Sequence, residues 1–95
     1  MTTESQNNSI INVLSPYFPE KIGIFGSFSR DENRPDSDLD ILVKFKKSIS
    51  LLKLVQIEQD LSDILHIKVD LVTEGALKNE RLKEYIFKDL QVIYS

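Results

Sequence analysis

Asp38 and Asp40 stand at alternate positions in the run GSFSRDENRPDSDLDILV, just downstream of a Gly26-Ser27-x-x-Arg30 turn. The stretch DLDILVKF, from Asp38 to Phe45, is rich in Leu, Ile, Val and Phe and reads as a strand that begins at the carboxylates. Side chains at i and i+2 of a strand share a face and stand roughly 6.5 to 7 Å apart. Two like charges held that close raise each other's proton affinity unless a cation lies between them. A hard divalent ion such as Mg²⁺, which takes one or two protein carboxylates together with substrate phosphates, suits the pair.

The turn upstream supplies the other half of such a site. Lys21 to Phe25 (KIGIF) reads as a short buried strand ended by Gly26-Ser27, where a residue without Cβ lets the chain turn sharply and approach a ligand. A helical turn starting at Ser27 points backbone N–H groups at an anion. Ser27 adds a hydroxyl, and Arg30 adds a fixed fork for phosphate oxygens. A two-metal site needs a further carboxylate. Asp70, central in the strand-like run KVDLV, is the candidate, because a charge amid apolar strand residues is costly to bury unless paired or metal-bound.

The ordered string Gly26, Ser27, Arg30, Ser37, Asp38, Asp40, with Asp70 in a later strand, resembles the DNA polymerase beta-like nucleotidyltransferase superfamily. The shortness of the chain and its tail LKNERLKEYIFKDLQVIYS resemble the MntA-like minimal nucleotidyltransferases. The resemblance implies an α+β fold of α/β type, with helices packed on a mixed sheet of about four strands. It also implies two Mg²⁺ ions on Asp38, Asp40 and Asp70, and ATP as donor, its phosphates held by Gly26, Ser27, Arg30 and Ser37. Asp31-Glu32 departs from the Gly-Glu of many relatives. The implied reaction transfers AMP to a tyrosine of a HEPN ribonuclease toxin and thereby silences it. Two alternatives are an antitoxin that neutralises by contact alone and a small-molecule nucleotidyltransferase completed by a separate substrate-binding subunit.

These residues need elements to position them, and the rest of the 95-residue chain reads as one domain spanning 1–95 with a polar, poorly ordered tail over 1–8. Ile10, Ile11, Val13 and Leu14 close a first helix, stopped by Pro16 and Pro19. Ser50 reads as the N-cap of a helix running to Leu65, with Leu51, Leu54, Val55, Glu58, Leu61 and Leu65 on its inner stripe. Asn79 to Leu90 reads as a last helix with Leu82, Tyr85, Ile86 and Leu90 inward, followed by an edge strand over Gln91–Tyr94. Phe87 falls off that stripe and suggests an exposed contact patch, while His66 reads as a solvated loop residue.

Composition narrows the function classes. No cysteine is present, so neither disulfides nor thiolate metal sites arise. No apolar run approaches the ~20 residues that span a bilayer, and a polar N-terminus unlike a signal peptide makes the cytoplasm the expected location. A net charge of −3, with acids gathered between Asp31 and Asp40, argues against a nucleic-acid template. The short chain leaves no room for an acceptor-binding domain, so a partner is expected to supply the acceptor.

Overall fold

The computed structural model describes residues 2–95. In chain order it comprises α1 (Glu4–Leu14), β1 (Pro19–Phe25), β2 (Leu39–Phe45), α2 (Leu51–Leu65), β3 (Val69–Thr73), α3 (Glu80–Asp89) and β4 (Gln91–Tyr94). Short 3₁₀ turns cover Ser15–Tyr17, Gly26–Phe28 and Glu74–Ala76. The strands form one mixed sheet in the order β3-β2-β1-β4, in which β1 is antiparallel to β2 and β4 while β2 and β3 run parallel. The expected α+β architecture with four strands is what is observed.

Strand alternation divides the core. Leu39, Ile41 and Val43 of β2 and Ile22 and Ile24 of β1 point to the face covered by Ile10 and Leu14 of α1 and Ile57 and Leu61 of α2, all fully or almost fully buried. Each such side chain contributes about 1.5–3 kcal/mol by leaving water. Phe25 and Leu42 point the other way, against Ile86 of α3 and Leu77. Asp40 precedes Leu42 by two residues and so lies on the α3 face.

Three helix expectations need correction. Of the segment 1–8 expected to be a poorly ordered tail, Met1 lies outside the described residues and the others cap and begin α1: Thr3 caps it in a reciprocal box with Gln6, and Thr2 is buried. The inner stripe of α2 is carried by Ile57 and Leu61, while Leu51 and Val55 are 77% and 57% exposed. Glu58 faces the edge of the sheet. Its Oε2 accepts the Leu71 amide at 2.8 Å, and Ser62 Oγ accepts the Val69 amide at 2.9 Å. These two side chains give β3 the acceptors that a further strand would otherwise provide, which blunts the edge. In α3 only Ile86 is buried, whereas Leu82 and Tyr85 are exposed. Ser50 and Asn79 cap α2 and α3, and His66 ends α2 as an exposed residue in the left-handed region.

Candidate active site

The parallel pairing of β2 and β3 sets Asp40 directly beside Asp70, since Leu39 pairs with Val69 and Ile41 with Leu71 on either side. Both carboxylates therefore project from one face of adjacent strands. Asp70 is not the buried charge that its apolar neighbours suggested. It is exposed, because β3 lies at the sheet edge and the neighbouring α3 packs on Leu42 rather than on Asp40. Burial, then the charge of Asp70, then that of Asp38, push the Asp40 carboxyl up to about 6, and Arg30 acts in the opposite sense. A carboxyl made this reluctant to ionise gains most from a cation placed beside it.

Asp38 lies just before β2 and is half-exposed, with Oδ2 3.9 Å from Lys68 Nζ. Among the described residues no three acidic, histidine or cysteine side chains are drawn together as a group able to enclose a metal ion. The all-oxygen donor set and the mutual repulsion of Asp40 and Asp70 fit a hard divalent ion. With Asp38 turned toward Lys68, those two carboxylates are the ones already side by side.

Gly26 joins β1 to the carboxylates. It follows Phe25, which pairs with Asp40 across the antiparallel ladder, and it adopts φ +75° in the 3₁₀ turn Gly26–Phe28. A Cβ on Gly26 would overlap Asp40 Oδ2. Glycine is thus required both by the left-handed backbone and by the space the carboxylate occupies. The expected helical turn is this 3₁₀ turn, which starts one residue before Ser27, and Ser27 is half-buried within it.

Arg30 is anchored from outside the loop. Its Nη1 donates to Asp89 Oδ2 at 2.8 Å and its Nε to Glu32 Oε2 at 3.2 Å. The Asp89 carboxylate, then Glu32 and the Tyr85 phenol, raise the already high proton affinity of the guanidinium. The same junction of α3 and β4 holds the turn itself: Ser29 Oγ donates to the Asp89 carbonyl oxygen, and Gln91 Nε2 donates to the Ser29 carbonyl at 3.3 Å. Ser37 closes its own loop, accepting the Arg34 amide on Oγ at 2.8 Å.

The structure therefore brings Gly26, Arg30, Asp40 and Asp70 to one end of the sheet, with Asp38 and Ser37 at its margin. Asp89, Gln91 and the pairing of Lys68 with Asp38 are features that local sequence reading did not find. Asp89 carried one signal, since an acid in the last turn of a helix opposes the helix dipole and so points to a tertiary partner.

The model of the Nucleotidyltransferase domain family matches residues 8–93. The chain belongs to that family. A Methanocaldococcus jannaschii protein with the provisional name protein adenylyltransferase MJ1217 is 47% identical over 74 residues, which cover 78% of this chain and 76% of that protein. The protein adenylyltransferase MntA of Thermococcus cleftensis is 48% identical over 59 residues, covering 62% of this chain and 60% of its own length. A solved structure provisionally named a minimal nucleotidyltransferase is 30% identical with a TM-score of 0.78, covering 92% of this chain and 88% of that one. A toxin–antitoxin crystal structure with AMP-PNP reaches a TM-score of 0.86 at 24% identity, over 94% of this chain and 73% of that chain. This nucleotidyltransferase has the minimal fold of the group, and among its described residues no helix is long and apolar enough to cross a membrane.

Proposed function

We propose that this nucleotidyltransferase moves AMP from ATP to a tyrosine hydroxyl of a HEPN-type ribonuclease toxin and thereby acts as its antitoxin. The observation that carries the proposal is the side-by-side register of Asp40 and Asp70 next to the Gly26 turn. Relatives named protein adenylyltransferases support the choice of AMP and of a protein acceptor. A neighbour in fold, from Shewanella oneidensis, is an MNT antitoxin in complex with a tri-AMPylated HEPN toxin.

In this reading Asp40 and Asp70 hold divalent metal, joined by Asp38 once its side chain leaves Lys68. Bound Mg²⁺ supplies neutralisation of phosphate charge and acidifies the acceptor hydroxyl. The Gly26-Ser27 turn brings backbone close to the triphosphate, with Ser27 and Ser37 offering hydroxyls. Arg30 keeps Nη1 on Asp89 and Nε on Glu32 and offers its remaining N–H groups to phosphate oxygens. Asp70, exposed toward the incoming acceptor, takes the phenolic proton on its carboxylate oxygen. The phenolic oxygen bonds to the α-phosphorus as the bond to pyrophosphate breaks.

Incubating the chain with Mg²⁺, α-labelled ATP and a HEPN-type protein tests this. Label is expected on the HEPN protein with wild type and on neither chain with Asp38→Ala/Asp40→Ala. A contact-only antitoxin is the second reading, favoured by the Asp38–Lys68 pairing. Asp70→Asn separates the two, because it abolishes neutralisation under the enzymatic reading and leaves it intact under the other.

A further inference from the structure

A cleft of about 710 Å³ lies away from the carboxylates, floored by the last residues of β2, Val43 to Phe45. Asp40 lies five residues before Phe45 on that strand, so the two ends are roughly 17 Å apart. Lys44, Lys46, Lys47 and Lys83 line the cleft, against a single acid, Glu74. Glu74 is already taken, 2.7 Å from Lys21 Nζ and 3.9 Å from Lys44 Nζ. Lys83 has its own helix neighbour, Glu80, at 3.8 Å. Lys46 and Lys47 are exposed and have no ion-pair partner among the described residues. Lys46 and Lys47 are thus two uncompensated cations at the end of the sheet away from the site, in a chain of net charge −3.

The cleft continues into a second hollow of about 260 Å³ that shares Leu54 and Thr73 with it. Leu51 and Val55, near the start of α2, line this second hollow and are 77% and 57% exposed, and the neighbouring Leu52 is 82% exposed. These three cover no core of their own, unlike Ile57 and Leu61 one turn on. An apolar hollow continuous with a lysine-rich cleft has the composition of a protein interface with a charged rim. A nucleic acid would use the lysines and leave the leucines in water.

We propose that this groove docks an acidic segment of the partner protein, its carboxylates on Lys46 and Lys47 and an apolar side chain between Leu51 and Val55. The inference rests on the protein-acceptor reading above and adds an anchoring surface separate from the site of transfer. Because Lys46 and Lys47 follow Phe45, itself roughly 17 Å from Asp40 along β2, the lysine end of the groove sets how tightly the partner is held and leaves chemistry on bound ATP alone.

The test uses Lys46→Glu/Lys47→Glu and, separately, Leu51→Asp, all exposed positions whose replacement leaves the core untouched. Binding of a HEPN-type protein is measured beside label transfer to it, MgATP affinity and melting temperature. Each variant is expected to weaken partner binding about tenfold or more and to raise KM for the partner. Its kcat at saturating partner, MgATP affinity and melting temperature should stay at wild-type values. Partner binding within twofold of wild type in both variants overturns the docking surface, whether or not AMP is transferred. Groove-dependent binding without transfer by the wild type supports the surface and overturns the enzymatic reading instead. Absence of any binding by the wild type overturns both. A fluorescent 20-mer RNA that binds wild type and is lost on charge reversal, with protein binding unchanged, overturns the proposal in favour of nucleic acid.

Discussion

Gly26→Ala perturbs the one position where backbone conformation and site geometry coincide. The residue sits at φ +75°, where an L side chain costs about 1–2 kcal/mol relative to glycine. For a domain of this size that loss lowers the melting temperature by about 4–16 °C. The added Cβ would overlap Asp40 Oδ2. That oxygen is the far end of a half-buried side chain, so the overlap is relieved by swinging the carboxylate away from the turn rather than by unfolding. A displacement of about 1 Å at a reacting centre reduces rate on the order of 100-fold. The variant should therefore stay folded, melt about 4–16 °C lower and lose about two orders of magnitude in kcat/KM for label transfer from MgATP. Gly75→Ala is the control, since a Cβ there meets nothing within 4 Å and the backbone is not left-handed. Gly26→Ala activity within threefold of wild type would refute the argument that the Gly26 cradle positions Asp40.

Other consequences follow from the same geometry. The Asp40 carboxyl is pushed up to about 6 by burial and by Asp70 and Asp38, so the folded chain binds its proton more tightly than the unfolded chain does. That stability is present below the ordinary carboxylate range and is lost as pH rises through about 6. Without metal, thermal melts should show stability falling between pH 4 and 7, with a smaller fall in Asp40→Asn and recovery on adding Mg²⁺ at pH 7. Asp89→Asn should weaken MgATP binding by up to roughly fivefold and have no further effect in an Arg30→Met background. Additive effects in that cycle, read by calorimetry, would show that Asp89 does not act through Arg30. Glu58→Ala removes the acceptor of the Leu71 amide and should destabilise the chain by about 1–3 kcal/mol. Hydrogen exchange at Leu71 should quicken, whereas Gln59→Ala, on the exposed side of the same helix, should leave it unchanged.

Local chemistry made much of this protein legible in one dimension. The Gly26-Ser27 turn between two apolar runs, the carboxylates at the start of the second run and the caps Ser50 and Asn79 depend on neighbours a few residues away, so spacing alone revealed them. Where a pattern had two apolar faces to choose from, it misled. In α2 both Leu51–Val55 and Ile57–Leu61 are apolar, and only packing against α1 and the sheet selects the second. The polar first eight residues gave no apolar period, although Thr3 and Gln6 already held a capping box.

Tertiary structure decided the rest, because it concerns distances between residues far apart in the chain. The parallel register of β2 and β3 puts Asp70 beside Asp40 across thirty positions, and the edge location of β3 leaves Asp70 open to solvent instead of buried. The pairing of β4 with β1 brings Asp89 and Gln91 onto the loop that carries Ser29 and Arg30. The lysines of the far cleft are scattered between Lys44 and Lys83 and become one surface only when β2 and α3 converge. Residue type and short spacing determined which groups this chain can bring to a phosphate; strand order and register, set by burial over the whole sheet, determined which of them meet.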